Sequence, residues 1–267
     1  MVRVGFIGSG KMGEALIRSM LGLKDVDIFI IASDIAEERR ELISKIRGAD
    51  ATENNRRVVE NSDIIFIAVK PQNIDEVLDE IGDTDKLVIS IAAGVPLRRL
   101  EEKLPKARVI RMMPNTPCLV GEMAGGFALG TRATDADGKM LMRLLKNTGR
   151  VFSLAERHLD AVTALSGSGP AFMAYLIQTI AAAAERQGLP KKVAEQLAVQ
   201  TALGTGKLLR DLKMSPGELI AMVSSPGGTT MAGRQILENS DVREVLEKTI
   251  AAAAERAREL GASSRLA

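Results

Sequence analysis

The chain has one cysteine and one histidine among 267 residues, no block of like charge and no long apolar run. A lone Cys118 cannot form an intrachain disulfide framework, and the opening MVRVGFIGSG lacks the basic region, apolar core and cleavage site of a secretory signal. The expected location is therefore the cytoplasm. Lys and Arg number 36 against 34 Asp and Glu, with no basic block interleaved with aromatics, so no nucleic-acid partner is expected. The most apolar stretch, Ala171 to Ala184, is interrupted by Gln178 and runs into Glu185 and Arg186, which is too short for a bilayer span. No membrane partner is expected. His158 has no neighbouring Cys or carboxylate pattern, so neither a metal site nor a histidine-based triad is expected, and His158 itself reads as a surface or capping residue. Cys118 stands beside a Pro with no activating base and reads as a buried structural thiol.

What is present suits one large domain or two ordinary ones, since 46% apolar content can fill real cores. From Val2 to Ser153 short β-branched runs alternate with amphipathic stretches, as the strand–helix repeat of a parallel sheet requires. The expected strands are Val2 to Ile7, Asp27 to Ala32, Ile64 to Val69, Leu87 to Ala92, Val109 to Met113 and Gly125 to Leu129, with Met12 to Leu23 and Glu37 to Ile46 as crossover helices. The fold class is α/β, with a Rossmann-type doubly wound sheet over residues 1–156. Beyond Glu156 the β-branched runs cease, and helices are expected to begin near Leu159, Pro170, Lys191, Pro216, Thr229 and Val242. Residues 157–267 therefore read as an all-α domain. Its Ala181–Ala184 and Ala251–Ala254 runs permit close helix approach, which points to dimerisation, with ordinary small-residue helix packing in a monomer as the alternative.

GSGKMG, residues Gly8, Ser9, Gly10, Lys11, Met12 and Gly13, follows a strand, opens a helix and is trailed by Asp34 at the end of the next strand. That context makes G-x-G-x-x-G a dinucleotide motif: Gly8 for the tight turn, Gly10 for backbone approach to a pyrophosphate, Gly13 for helix packing. Asp34 suits a free ribose hydroxyl and opposes a phosphate, whereas Ser33, Arg39, Arg40 and Lys11 can each compensate a 2′-phosphate. Both Arg residues equally suit the solvated face of a helix, so NADPH and NADH stay open.

AVKPQ, with Val69, Lys70, Pro71 and Gln72, ends another strand, where ligands of doubly wound sheets lie; a solvated Lys70 after a strand-stopping Pro is the alternative. RMMPNTP offers Asn115 and Thr116 at a later strand end, either beside a nicotinamide or in a rigid turn. GTGK, Gly204 to Lys207, lacks the full phosphate-loop spacing and reads as a close-packing helix face. SSPGGTTMAGR places Ser225, Gly227, Gly228, Thr229 and Thr230 where a helix begins, so that free amides face an anion, for which a carboxylate is suited. Plain capping is the alternative, but it needs no doubled Gly.

Together GFIGSGKMG, AVKPQ, SIAAGV, RMMPNTP, DAVTALSGSGPAF and SSPGGTTMAGR resemble the pyrroline-5-carboxylate reductases over nearly the whole chain. The resemblance implies an N-terminal Rossmann domain, a helical domain that interlocks with a partner's into a dimer or a ring of dimers, and an active site that draws on both subunits. It implies reduction of the cyclic imine 1-pyrroline-5-carboxylate to proline. By the same resemblance Ser225 and the backbone amides of the SPGGTT turn hold the substrate carboxylate, Thr230 contacts the ring nitrogen as the catalytic residue, Asn55 lies near the adenosine ribose, and Lys70 and Pro71 border the nicotinamide. NADPH is the implied cofactor. Asp34 stands where some NADPH-preferring members meet the 2′-phosphate with a small polar residue, which keeps NADH in view. Two rivals are a β-hydroxyacid dehydrogenase and a non-catalytic dinucleotide sensor. The first lacks its lysine, since the helix after GSGPAF carries only Tyr175 and Gln178, and the second leaves SPGGTT without a purpose.

Overall fold

The computed structural model describes residues 1–263. The first part of the chain runs β1 (Val2–Ile7), α1 (Lys11–Leu21), β2 (Ile28–Ser33), α2 (Glu37–Ser44), β3 (Ala49–Thr52), α3 (Asn55–Glu60) and β4 (Ile64–Ile67). It continues through α4 (Ile74–Ile81), β5 (Leu87–Ser90), α5 (Leu97–Lys103), β6 (Arg108–Met113), β7 (Met123–Leu129), α6 (Asp135–Leu144) and β8 (Gly149–Ser153). These strands form one eight-stranded sheet in the order β3-β2-β1-β4-β5-β6-β7-β8. Successive side chains of a strand face opposite ways, and β4 exploits this with an unbroken apolar run. Ile64 and Phe66 join the core under α1, α2 and α6, while Ile65 and Ile67 join the core under α3, α4 and α5. Phe6 and Phe66, on neighbouring strands, stack with ring centroids 4.8 Å apart.

The doubly wound sheet is parallel except at one pair. β7 pairs antiparallel with β6, while β8 returns parallel to β7. The segment between β6 and β7 holds only one short 3-10 turn, Thr116–Val120, and a parallel return would need a crossover of about a dozen residues or more. The sequence signals also missed both edge strands. β3 reads ADAT, without a β-branched run, and β8 reads GRVFS, largely exposed. Gly149 begins β8 with φ 138°, and a Cβ there would lie 2.2 Å from the Met123 carbonyl oxygen, so the edge pairs only because residue 149 is glycine. β4 stops at Ile67 rather than Val69, although the Ala68 amide still donates to the Ile7 carbonyl at 2.8 Å.

The chain clusters into two compact units, residues 1–168 with the chain from Ala252 onward, and residues 169–251. Within the first unit, α7 (Leu159–Val162) is followed by a π-helical turn, Thr163–Gly167. Arg111, buried in β6, pairs with Glu156 at 3.0 Å and Asp160 at 3.4 Å, and Glu156 also accepts the Leu97 amide at 2.7 Å. The second unit carries α8 (Gly169–Arg186), α9 (Lys191–Asp211), α10 (Pro216–Val223), α11 (Thr229–Glu238) and the first part of α12 (Val242–Ser263). α10 opens with a capping box: the Ser215 hydroxyl accepts from the Glu218 amide, and Glu218 accepts from the Ser215 amide. α8 and α9 pack as an antiparallel pair across the Gly188–Pro190 turn. Among the described residues no helix is long and apolar enough to cross a membrane.

On the α4–α5 face, Arg99 donates to Asp75 at 2.9 Å and holds that carboxyl below its ordinary range. A depressed carboxylate stabilises the fold above its unfolded value of about 3.9 and loses that contribution as pH falls through the folded value. Urea unfolding from pH 7 downward should show Asp75→Asn already destabilised at neutral pH and less sensitive to further acidification than the wild type. An unchanged acid limb would show that the pair contributes nothing.

Candidate active site

β1 and β4 leave the sheet side by side where the direction of chain winding reverses, with β2 and β3 to one side and β5 onward to the other. Such a reversal opens a crevice at the carboxyl ends of the strands. The glycine loop lies there. Gly8 has φ 89°, and a Cβ on it would sit 2.8 Å from the Ala68 carbonyl oxygen; a Cβ on Gly13 would sit 2.8 Å from the Gly8 carbonyl oxygen. A Cβ on Gly10 would meet nothing within 4 Å. Gly10 begins α1 with no side-chain cap, and the first intrahelical bond runs from the Glu14 amide to the Gly10 carbonyl. The amides of Lys11, Met12 and Gly13 therefore have no helical acceptor, which is the condition for binding a pyrophosphate. The cradle fits the dinucleotide that the motif implies.

Two side chains fix that loop. Asp34 accepts from the Ser9 amide at 2.8 Å and the Ser9 hydroxyl at 3.0 Å, and from the Ala36 amide at 3.0 Å. From the opposite side Arg39 Nε donates to the Ser9 carbonyl at 2.8 Å and pairs through Nη2 with Glu14 at 2.8 Å. Burial pushes the Glu14 carboxyl up, but hydrogen bonds from Arg18 and Arg39 outweigh it and hold the group below its ordinary range. This clamp on Ser9 had no sequence signal, because it joins residues from three separate segments.

The other residues expected on the cofactor side lie at or beyond the carboxyl ends of β2, β4 and β6, or in α3. Ser33 is buried at the end of β2 and donates to the Asn55 carboxamide oxygen, whose nitrogen in turn donates to Glu80. Val69 is half-buried, while Lys70 and Pro71 are exposed at a 3-10 turn, Pro71–Asn73, and Gln72 is exposed within it. Asn115, beyond β6, is buried, and its amide bridges the Ala124 amide at 3.0 Å and the Ser166 carbonyl at 3.1 Å. Its side chain thus braces the loop. Thr116 is exposed.

In the second unit the SPGGTT segment joins α10 to α11. Gly227 takes φ 70°, and the Gly228 amide closes a turn onto the Ser225 carbonyl at 3.0 Å. A Cβ on Gly228 would lie 2.6 Å from the Ser225 hydroxyl, so each of the two glycines has its own reason. α11 begins at Thr229 without any side-chain cap, and its first intrahelical bond is from the Ala232 amide to the Gly228 carbonyl. The amides of Thr229, Thr230 and Met231 have no helical acceptor, and the side chains of Ser225, Thr229 and Thr230 are exposed. Plain hydroxyl capping is not what this turn does.

Residues 156–260 match the family model for pyrroline-5-carboxylate reductase dimerisation, and residues 3–94 match the model described as NADP oxidoreductase coenzyme F420-dependent. The pyrroline-5-carboxylate reductase of Methanosarcina acetivorans is 41% identical over 264 residues, covering 97% of this chain and 98% of that protein. The chain belongs to the pyrroline-5-carboxylate reductase family. The solved structure of the Coxiella burnetii reductase superposes with a TM-score of 0.90 at 32% identity, covering 96% of this chain and 97% of that one. The Plasmodium falciparum reductase, solved with NADP bound, gives 0.82 at 27% identity, covering 97% and 98%.

As a member of this reductase family the chain is an oxidoreductase. His158 is exposed in a 3-10 turn, Glu156–His158, and caps nothing with its ring. Cys118 is buried against Met12, with the two sulfurs 3.3 Å apart, and burial pushes its thiol up, away from the thiolate a nucleophile needs. Among the described residues no group of three or more His, Cys, Asp or Glu is placed to hold a metal ion.

The glycine loop separates two effects that a reductase of this family must combine. Gly10→Ala adds a methyl group to open space beside the uncapped amides, so it should leave the melting temperature almost unchanged while weakening nucleotide binding about tenfold or more. Gly13→Ala drives a Cβ against the Gly8 carbonyl and should lower stability itself, by about 2 kcal/mol. Thermal melts and calorimetric titration of both variants would check the contrast, and equal melting temperatures would refute it.

Proposed function

We infer that the protein reduces 1-pyrroline-5-carboxylate to L-proline with NADPH or NADH, the last step of proline biosynthesis. The observation that carries this reading is the uncapped, glycine-turned start of α11, with the Ser225 and Thr230 hydroxyls beside it. Reducing a C=N bond takes one hydride at carbon and one proton at nitrogen. The imine carbon is already electrophilic, so no nucleophile or metal is required, and positioning supplies most of the acceleration. Reduced nicotinamide, when bound, supplies the hydride.

The protein's part is to hold, orient and donate. Ser225, Gly227, Gly228 and Thr229 hold the substrate carboxylate at free amides and a hydroxyl, where the helix start favours an anion. Thr230 contacts the ring nitrogen, orients the ring and relays the proton. On the cofactor side, Gly8, Ser9, Gly10, Lys11, Met12 and Gly13 receive the pyrophosphate, Ser33, Asp34 and Asn55 line the adenosine ribose, and Val69, Lys70, Pro71 and Asn115 border the nicotinamide pocket. Residues 1–156 form the nucleotide-binding domain in this reading, and 157–267 the dimerisation and substrate-binding domain.

A homodimer accords with the second unit, whose helices bury little within the chain. Ile180 is 61% exposed and Ile236 73%, and a groove of about 550 Å³ between α8 and α9 is lined by Leu176, Ile177, Leu197 and Ala198 among others. Gly204 and Gly206 meet nothing a Cβ would touch inside the chain, so any close packing of that face is against a second copy. A cytoplasmic setting accords with a single buried cysteine.

The test is loss of reduced-nicotinamide absorbance on adding pyrroline-5-carboxylate, run in parallel with Thr230→Ala. Oxidation by the wild type is expected, with kcat lowered about a hundredfold in the variant and cofactor affinity retained. Cofactor binding without turnover of any imino acid would leave a sensor instead. A variant that loses cofactor affinity but keeps kcat would displace Thr230 from its role.

A further inference from the structure

We propose that the adenosine end of the cofactor site is built for a free ribose 2′-hydroxyl, so that the enzyme binds NADH in preference to NADPH, with Asp34 setting the choice. The inference rests on the reading of the glycine loop as the dinucleotide site. Asp34 follows β2 directly and is held at both carboxylate oxygens, Oδ2 by the Ser9 amide and hydroxyl and Oδ1 by the Ala36 amide. A carboxylate accepts about four hydrogen bonds, so one site remains on Oδ1. A hydroxyl can donate to it. A phosphate brings only acceptor oxygens and negative charge, and Asp34 cannot swing away without releasing Ser9 from the loop.

The cations that would offset such a phosphate are committed elsewhere. Arg39 holds the Ser9 carbonyl and pairs with Glu14, and both side chains are mostly buried. Turning Arg39 outward would free the glycine loop and leave Glu14 short of a partner. Arg40 Nη1 donates to the carbonyl oxygens of Asp34 and Ile35 at 2.9 Å each, and its Nη2 lies 3.9 Å from Glu53. Around Arg40 the shallow depression between α2 and the end of β3 is lined by Glu37, Glu41 and Glu53, three carboxylates to one guanidinium. Lys11 lines a different depression, with Glu14, Arg18 and Asn147. The Ser33 hydroxyl, which a phosphate would otherwise use, is buried on Asn55. At this end of the site carboxylates outnumber the guanidinium of the depression, and the polar capacity left on Asp34 is an acceptor, the complement of a hydroxyl.

The test is calorimetric titration of the full-length protein with NADH and with NADPH, which needs no turnover, on wild type, Asp34→Asn and Arg40→Ala. Asn keeps an oxygen for Ser9 while removing the charge. The wild type should bind NADH about tenfold more tightly or better; Asp34→Asn should narrow that ratio about tenfold, whatever it does to absolute affinity, and Arg40→Ala should leave it unchanged. Equal or tighter NADPH binding by the wild type would overturn the inference alone, as would a loss of NADPH affinity specific to Arg40→Ala or an unaltered ratio in Asp34→Asn. Failure to bind either nucleotide would overturn the reading of the loop as well.

Discussion

The contact between the Gly8 backbone and the end of β4 is the constraint on which the cofactor-side architecture depends. At that point a Cβ on Gly8 would lie 2.8 Å from the Ala68 carbonyl oxygen and 3.0 Å from Val69, and one on Gly13 would strike the Gly8 carbonyl. Three elements, β1, α1 and β4, converge there with no room for a side chain on Gly8 or Gly13. Removing side chains there costs conformational entropy in the unfolded chain, and it is offset by the burial of α1, whose Ala15, Leu16, Ile17 and Met20 all sit in the core. The result is a helix start aimed at the crevice with its amides free. The same economy recurs at Gly227 and Gly228, where two missing side chains turn α10 into α11 and leave a second set of amides without acceptors.

Charge is used in this fold to fix backbone. Asp34 and Arg39 grip the Ser9 peptide from opposite sides, one accepting from its N–H and the other donating to its C=O. Arg111, 8% exposed, would be costly in the core without partners, and it has two carboxylates, Glu156 and Asp160. Glu156 passes the connection on to the Leu97 amide at the start of α5. That buried pair links β6, the α5 loop and the segment where the sheet gives way to helices. Nearby, the end of α12 reaches the loop after β5: a Cβ on Gly94 would lie 3.3 Å from the Leu260 Cβ, and one on Gly261 3.2 Å from the Gly94 carbonyl. Two glycines again permit the approach. This explains why residues 252–263 cluster with the first unit although they are helical like the second.

The absence of ionisable side chains from the Ser225–Thr230 turn agrees with the chemistry of an imine. Where an ester or a phosphate must be made reactive, a protein supplies a nucleophile and a tuned base; a C=N bond needs a hydride, a proton and a fixed orientation. Rigid helix starts and hydroxyls suffice. Cys118 and His158 illustrate the difference, one buried against a thioether and the other in solvent, neither engaged with any acid or base.

Much of this was legible in the linear chain, for reasons that lie in local physics. A strand such as Ile64–Ile67 announces itself because a central parallel strand is covered on both faces and favours an unbroken apolar run. The helix starts at Lys191, Pro216 and Thr229 are marked by Pro and Gly whose backbone preferences act without help from the rest of the fold. GSGKMG and SPGGTT are legible for the same reason: glycine at a fixed spacing encodes a backbone path. What the sequence could not determine depends on partners far away in the chain. The edge strands Ala49–Thr52 and Gly149–Ser153 have little intrinsic preference and are strands only because β2 and β7 offer them a ladder. The antiparallel turn of β7 follows from the shortness of its connection, not from its composition. Arg39 and Arg40, read along the chain, suit a phosphate or a solvated helix face equally. The tertiary structure gave each a different engagement, Arg39 with Ser9 and Glu14 and Arg40 with the carbonyls of Asp34 and Ile35, because hydrogen-bond partners are chosen by distance in space.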